Sequence, residues 1–114
     1  MNASVIVTSF IKRYAEFWRN GAQDVQSVYT PDAILCGYEI VRSREEIKAL
    51  LGGVYGQGFT EIEIDPVQIS FSSNTILIAC LYRAKRGEES LTAKSSYVLI
   101  ECEGAWKIAM HTAT

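Results

Sequence analysis

The stretch FTEIEIDPVQISF, residues 59–71, combines the alternating pattern of a β-strand with a proline near its middle. Its strand-like apolar residues fall on even positions at Ile62 and Ile64 and on odd positions from Val67 to Phe71. This shift beside Asp65-Pro66 predicts a β-bulge or bend within one long strand, since proline cannot donate a ladder hydrogen bond. A long strand bent in this way predicts a curved sheet.

The sequence after this stretch is also typical of strands. Residues 75–84, 90–101 and 105–112 are rich in β-branched and apolar residues, and short turn-forming segments separate them. Strand 75–84 (TILIACLYRA) is apolar at nearly every position, which predicts that both faces of the sheet are covered there. Because a chain of 114 residues has no further segment to cover the second face, we expect a homodimer formed through the sheet.

Helical patterns occupy the N-terminal half. The three predicted helices span about residues 4–19, 23–29 and 43–54. Asn20-Gly21 ends the first, Pro31 follows the second, and the S-x-x-E pattern beginning at Ser43 opens the third. A strand or hairpin at 33–41 lies between them. This order predicts an α+β fold in a single domain, residues 1–114: a cone-shaped roll of three N-terminal helices packed on a curved, mainly antiparallel sheet.

The composition excludes several classes of function. The formal charge of −2 and the isoelectric point near 5.4 argue against nucleic-acid binding, which needs a basic surface. With three separated cysteines and one histidine, we expect reduced thiols and no zinc site. The N-terminus lacks a signal-peptide pattern, and no apolar run approaches the roughly 20 residues that span a bilayer. We therefore expect a cytoplasmic protein without membrane association, metal or cofactor.

Four short motifs, taken in order, resemble the nuclear transport factor 2-like superfamily, and within it the SnoaL-like and ketosteroid-isomerase-like branches. They are Y-x-x-x-W at 14–18, YTPDA at 29–33, REEI at 44–47 and GAWKI at 104–108. The resemblance covers essentially the whole chain and implies a cone-shaped cavity between the helices and a concave sheet, and usually a homodimer. It implies no single activity, because the superfamily contains isomerases, cyclases, dehydratases, epoxide hydrolases and non-catalytic domains.

The steroid isomerases of that superfamily use a tyrosine on the first helix and two acids on strands. Tyr14 matches the tyrosine by its place seven residues before Gly21. The two acids would fall at about Gly37 and between Ser96 and Val98, where this chain has no acidic residue. Since proton abstraction beside a carbonyl needs such a base, we do not expect ketosteroid isomerase activity.

Two other catalytic branches can be compared in the same way. The dehydratases use an aspartate–histidine arrangement with two tyrosines, and the histidine role would fall to His111, the one histidine of the chain. The epoxide hydrolases need an Asp–Arg–Asp set, for which Asp65, Arg83 and Asp32 are the candidates. Their positions at a bend, a strand end and a turn predict surface residues instead.

The leading prediction is the binding of a small lipophilic molecule in an apolar cavity. The expected ligand-binding residues are Tyr14, Trp18, Leu35, Gly37, Tyr55, Ser96 and Trp106. An enzyme of the isomerase, dehydratase or cyclase type would use Tyr14 and His111 as its candidate catalytic residues. The sequence does not decide which face of the sheet His111 occupies. A non-catalytic oligomerisation domain is the third interpretation left open.

Overall fold

A computed structural model describes residues 2–113 as two α-helices packed on one six-stranded sheet. Helix α1 spans Ala3–Arg19 and α2 spans Ser43–Gly56; the strands are β1 Tyr29–Cys36, β2 Ile40–Arg42, β3 Glu61–Ser72, β4 Thr75–Arg86, β5 Glu89–Cys102 and β6 Ala105–Ala113. The order across the sheet is β2-β1-β6-β5-β4-β3. All neighbours are antiparallel except β1 and β6, which are parallel. The predicted α+β class and the mainly antiparallel sheet are confirmed.

The prediction of three N-terminal helices is wrong, because residues 23–29 do not form an α-helix. A single 3₁₀ turn, Val25–Ser27, occupies this segment, and Tyr29 already begins β1. The backbone N–H of Ile108 donates to the carbonyl oxygen of Val28 at 2.7 Å, so β6 pairs with the chain here. The β-branched residues of this short segment have weak helix propensity, and tertiary pairing therefore decides its conformation.

The bulge predicted in the long strand β3 is confirmed. Pro66 pairs with Cys80 and Gln68 pairs with Ala79, so Val67 is an extra residue on β3. The bulge lies directly after the proline, which has no N–H to donate to β4. It changes which residues of β3 lie on each face of the sheet before and after this point.

The core lies between the helices and one side of the sheet, which we call the inner face. Helix α1 contributes the apolar stripe expected from its three- and four-residue spacing: Val7, Phe10, Tyr14, Phe17 and Trp18. The inner faces of β4, β5 and β6 contribute Ile76, Ile78, Cys80, Tyr97, Leu99 and Ile108. Helix α1 ends as predicted, with Asn20 as its C-cap and Gly21 at a φ of +87°, a conformation that favours glycine.

The opposite side of the sheet, the outer face, keeps apolar side chains exposed in the single chain. Leu77 and Leu81 on β4 are 48% and 43% exposed, and Met110 on β6 is 37% exposed. Strand β4 is therefore covered on its inner face, and the covering of its outer face stays a prediction.

Within residues 2–113, neither α1 nor α2 has the combination of length and apolar character needed to cross a bilayer.

Candidate functional site

A chain of hydrogen bonds crosses the core from α1 to β6. The hydroxyl oxygens of Tyr14 and Tyr29 are 3.0 Å apart, and the Tyr29 hydroxyl oxygen lies 2.9 Å from Nδ1 of His111. None of the three side chains is more than 4% exposed. Polar groups from the first helix, the first strand and the last strand thus meet inside an apolar interior.

The local sequence explains how Tyr14 and Tyr29 reach this position. Tyr14 belongs to the apolar stripe of α1, where its ring packs 5.9 Å from that of Phe10 and 5.2 Å from that of Phe17, measured between centroids. Tyr29 is the first residue of β1 and is fully buried. Its ring lies edge-on to Tyr14 at 6.2 Å, so the two hydroxyls can meet while both rings pack in the core.

A second β-bulge turns His111 toward the core. Two consecutive residues of β5 pair with Met110 and Ile108, which leaves Ala109 as an extra residue on β6. Because side chains alternate along a strand, one extra residue places both Ile108 and His111 on the inner face. This settles the face of His111, which simple alternation could not assign.

Two further polar side chains of β5 lie beside His111. Tyr97 is directly opposite His111 in the β5–β6 pair, with ring centroids 4.4 Å apart, and Ser95 is two residues earlier on the same face. The hydroxyls of Tyr97 and Ser95 and the Nε2 atom of His111 are buried without a hydrogen-bond partner among residues 2–113. We call Tyr14, Tyr29, Ser95, Tyr97 and His111 the buried polar cluster.

Burial keeps the ionisable members of this cluster uncharged at neutral pH. Desolvation raises the pKa values of Tyr14, Tyr29 and Tyr97 well above the ordinary 10.0. Desolvation also lowers the pKa of His111 from 6.5 to about 3, so its imidazole carries a single ring proton. The cluster can therefore donate and accept hydrogen bonds, but it offers no charge to a ligand.

The surroundings of the cluster add no strong nucleophile or metal ligand set. Cys80 lies opposite Ser95 in the β4–β5 pair, and desolvation raises the pKa of its thiol to about 11, which keeps it protonated. Across residues 2–113, no three histidine, cysteine, aspartate or glutamate side chains gather where they could hold a metal ion. The chemistry of the site is that of neutral hydrogen-bonding groups.

Trp18 and Tyr55, two of the predicted ligand-binding residues, contact each other. Their rings lie 6.1 Å apart between centroids. The indole N–H of Trp18 donates to the carbonyl oxygen of Phe59 at 2.8 Å, so the chain itself satisfies this polar tip. The hydroxyl of Tyr55 donates to the carbonyl oxygen of Arg19 at 3.4 Å. These two aromatic residues join α1 to α2 and to the segment before β3.

The other predicted ligand-binding residues are dispersed. Leu35 is buried in β1, and Gly37 lies in the β1–β2 turn, where its N–H donates to Glu39. Trp106 is half-buried, and its backbone carbonyl accepts a hydrogen bond from the guanidinium of Arg13. Ser96 is exposed, because it alternates with the inward residues of β5 and so belongs to the outer face. The structure thus brings Tyr14 and His111 together, and it places Ser96 on the opposite side of the sheet.

The three candidates of the Asp–Arg–Asp set, Asp32, Asp65 and Arg83, are exposed, as the sequence predicts. Arg83 forms a hydrogen-bonded ion pair with Glu63, with an N–O distance of 3.2 Å. These residues therefore form part of the surface and do not enter the core.

An open groove of about 950 Å³ lies beside α2. Its apolar lining includes Val41, Leu50, Val54, Phe59 and Leu91, and Glu39 and Glu46 also border it. No member of the buried polar cluster contributes to this lining. A molecule seated in the groove would therefore not reach the unpaired polar atoms unless core side chains moved.

Sequence reasoning misses Tyr29 and Ser95 as site residues and does not select Tyr97. Tyr29 is assigned to a helix that does not form, although the run Val28-Tyr29-Thr30 before a proline is typical of a strand. Ser95 and Tyr97 share the parity of Leu99, a core residue, and this alternation is the signal that could have placed them inside.

No family model matches this chain, and no curated protein matches it in sequence. Several solved structures match its fold. A nuclear transport factor 2-like protein of unknown function from Shewanella oneidensis gives a TM-score of 0.83 at 16% identity and covers 98% of each chain. A domain of unknown function with a cystatin-like fold from Nostoc punctiforme gives a TM-score of 0.81 at 15% sequence identity, and the match covers 100% of this chain and 78% of that domain's chain. A nuclear transport factor 2-like protein from Novosphingobium aromaticivorans gives a TM-score of 0.77 at 12% identity, and the match covers 96% of this chain and 79% of that protein's chain.

The chain therefore has the nuclear transport factor 2-like, cystatin-like fold. This confirms, at the level of the fold, the resemblance carried by the four sequence motifs. The fold is shared by proteins with many activities, so the function has to be argued from the side chains of this chain. The assignment to the SnoaL-like and ketosteroid-isomerase-like branches stays a prediction.

Proposed function

We propose that this protein binds a small, uncharged, lipophilic molecule at the buried polar cluster. The observation that carries the proposal is the set of three buried polar atoms without a partner within residues 2–113: Tyr97 Oη, Ser95 Oγ and His111 Nε2. Folded proteins pair the large majority of their buried polar groups, and each unpaired one costs about 1–3 kcal/mol. Three such atoms, concentrated on two paired strands, support a site built to be completed by a ligand.

The character of the ligand follows from the surroundings of the cluster. Aromatic and aliphatic side chains enclose it, so most of a ligand's surface would contact apolar atoms. The phenols are protonated and the imidazole is neutral, so a charged ligand would lose its hydration without gaining a counter-ion. An uncharged molecule with one or two polar atoms fits both conditions.

Access to the cluster sets the size of the ligand. Tyr14, Tyr29, Tyr97 and His111 are all nearly inaccessible to solvent. A ligand therefore enters by moving core side chains. Binding of this kind favours small molecules and gives association rates below those of an open site.

A thermal-shift screen against several hundred small, uncharged, lipophilic compounds tests the proposal. A ligand present at 100 times its Kd adds about 2.7 kcal/mol to the free energy of unfolding. For a chain of this size we expect an increase in Tm of roughly 10 °C. Binding at the cluster predicts that the shift shrinks strongly in Tyr97→Phe, which removes one unpaired hydroxyl and leaves the ring in place.

Tyr38→Phe is the matched control, because Tyr38 lies in the β1–β2 turn and is fully exposed. This variant should keep the full shift for every hit that binds the cluster. A hit whose shift is unchanged in Tyr97→Phe, or responds equally to both substitutions, binds elsewhere, for example in the groove beside α2, which Tyr38 also lines. If every hit behaves in that way, the proposal for the buried polar cluster is wrong.

The outer face supports a separate proposal, a homodimer formed through the sheet. Leu77, Val98, Met110 and Ile34 lie side by side across four neighbouring strands on this face. Three of them are at least 36% exposed in the single chain, and a row of this kind is typical of a surface that another protein covers. Sedimentation of the wild type and of an outer-face variant tests this proposal, as set out below.

A further inference from the structure

The hydrogen bonds that join Tyr14, Tyr29 and His111 can run in two directions. In the first, the Tyr14 hydroxyl donates to the Tyr29 oxygen, and the Tyr29 hydroxyl donates to a bare Nδ1 of His111. A neutral imidazole then carries its single proton on Nε2. In the second direction Nδ1–H donates to Tyr29, Tyr29 donates to Tyr14, and Nε2 is bare.

The two directions differ in how many buried hydrogen-bonding groups have no partner. In the second direction the hydroxyl proton of Tyr14 is left over, because Tyr29 is its one hydrogen-bond partner in the part of the chain that the structure describes, and the lone pair of the bare Nε2 is left over as well. In the first direction both hydroxyl protons have an acceptor, and of the three side chains only the Nε2–H group lacks a partner. Each unpaired buried polar group is costly, so the first direction is favoured by about tenfold or more.

The protonation state of the histidine supports this count. Desolvation holds the pKa of His111 at about 3, so the doubly protonated ring is negligible at neutral pH. The neighbouring groups that face it, Tyr14, Tyr29 and Tyr97, are protonated phenols and contribute no charge. The ring therefore has one proton, and the tyrosines decide which nitrogen carries it.

The three side chains that carry the unpaired atoms are neighbours on the inner face of the sheet. Tyr97 is paired directly across from His111, and Ser95 is two residues along the same strand. Directly opposite residues have their Cβ atoms about 5 Å apart, and residues two apart on a strand are separated by about 6.6 Å. A ligand seated against this part of the inner face can therefore contact all three side chains.

We infer that His111 presents Nε2–H, beside the hydroxyls of Tyr97 and Ser95, to the carbonyl oxygen of an uncharged lipophilic ligand. This inference rests on the proposed function and names its ligand class: ketones, aldehydes, esters or lactones. A carbonyl oxygen has two lone pairs and brings no proton of its own, so it accepts from two donors without adding a third.

Nitrogen-15 NMR of the ring of His111 tests the direction of the chain without any ligand. Since the chain has a single histidine, histidine labelling gives one pair of ring signals, and protonated and bare nitrogens are well separated. We expect a protonated Nε2 and a bare Nδ1 in the wild type. The same tautomer should persist in Tyr14→Phe, because the Tyr29 hydroxyl still donates to Nδ1. A wild-type ring with its proton on Nδ1, or divided equally between the nitrogens, overturns the inference.

Two probes of nearly equal shape test the ligand class. Acetophenone carries a carbonyl oxygen where cumene (isopropylbenzene) carries a methyl group. We expect acetophenone to bind at least about tenfold more tightly, the worth of one good hydrogen bond, and to shift the Nε2 signal while Nδ1 stays bare. The advantage should fall in Tyr97→Phe and remain in Tyr38→Phe.

The outcomes separate this inference from the proposed function. If cumene binds as tightly as acetophenone and the shift still depends on Tyr97, the cluster binds lipophilic ligands and the carbonyl inference alone fails. If neither probe binds up to its solubility limit, the ligand class and the proposed function fail together for molecules of this size. Tight binding of acetophenone alone, with Nε2–H retained, supports both.

Discussion

Replacing Tyr97 by phenylalanine should stabilise the ligand-free protein. The substitution keeps the ring, which packs against His111 and Phe10, and removes a buried hydroxyl that has no partner among the described residues. An unpaired buried hydroxyl destabilises the folded state by about 1–3 kcal/mol. The small cavity left by removing one oxygen atom costs only a few tenths of a kcal/mol, roughly, in the opposite direction. We therefore expect the free energy of unfolding to rise by about 1–2 kcal/mol, or Tm by roughly 3–10 °C. Urea unfolding at an unchanged m-value measures this difference.

Tyr14→Phe is the matched comparison, because it removes an equally buried hydroxyl that does have a partner. It deletes the hydrogen bond to Tyr29 at 3.0 Å and should lower the free energy of unfolding by about 0.5–1.5 kcal/mol. The two tyrosines belong to one cluster, yet their substitutions should have opposite signs. If Tyr97→Phe is destabilised as much as Tyr14→Phe, the Tyr97 hydroxyl is hydrogen-bonded in solution, and our account of an incomplete site is refuted.

Three further predictions concern other parts of the molecule. Gly53→Ala should raise the free energy of unfolding, measured in urea, by about 0.5–1 kcal/mol, because a Cβ at this helical position meets nothing within 4 Å. Gly58→Ala should lower the free energy of unfolding, since φ is +105° there and the Cβ would lie 2.8 Å from Arg86. Equal effects of the two substitutions would contradict this explanation from backbone conformation. Between about pH 6.5 and pH 3 the unfolded chain binds a proton at His111 that the folded chain, with a pKa of about 3, excludes. Stability should therefore be complete above pH 6.5 and fall as the pH is lowered, and His111→Gln should flatten this slope; an unchanged slope would show that the ring is solvated. Leu77→Glu should convert a homodimer into a monomer in sedimentation at an unchanged fold, and a wild type that is already monomeric would end the dimer proposal.

The helices and strands that the sequence predicts correctly are those whose periodicity extends over many residues. Helix α1 repeats its apolar spacing from Val7 to Trp18, over about three turns, and β3 shows its bulge as a parity shift beside Pro66. The segment 23–29 is too short for periodicity to decide between a helix and a strand start. There the partner strand β6 determines the conformation, and a partner cannot be read from local sequence.

The candidate site was predictable only in part for the same reason. Tyr14 follows from the stripe of α1, whereas the inward position of His111 depends on the bulge at Ala109. The sequence from Trp106 to Thr112 contains no signal that predicts this bulge, because each residue of that segment is acceptable on either face of a strand. The partnerless hydroxyls of β5 are likewise properties of the packed core, since a serine or tyrosine is unpaired only in relation to its neighbours.

The electrostatics of the cluster support binding over proton transfer as its main role. A general acid or base works best with a pKa near the operating pH, and enzymes arrange burial and charges to reach that value. Here burial is the largest cause: it moves the pKa of His111 down to about 3 and the pKa values of Tyr14 and Tyr97 upward, away from neutrality in both directions. No carboxylate belongs to the cluster to offset the desolvation of the imidazole, in contrast to the aspartate–histidine pair expected for a dehydratase. Neutral donors held in place by an apolar core are suited to recognising an uncharged oxygen, which is the role that the proposed ligand class assigns to them.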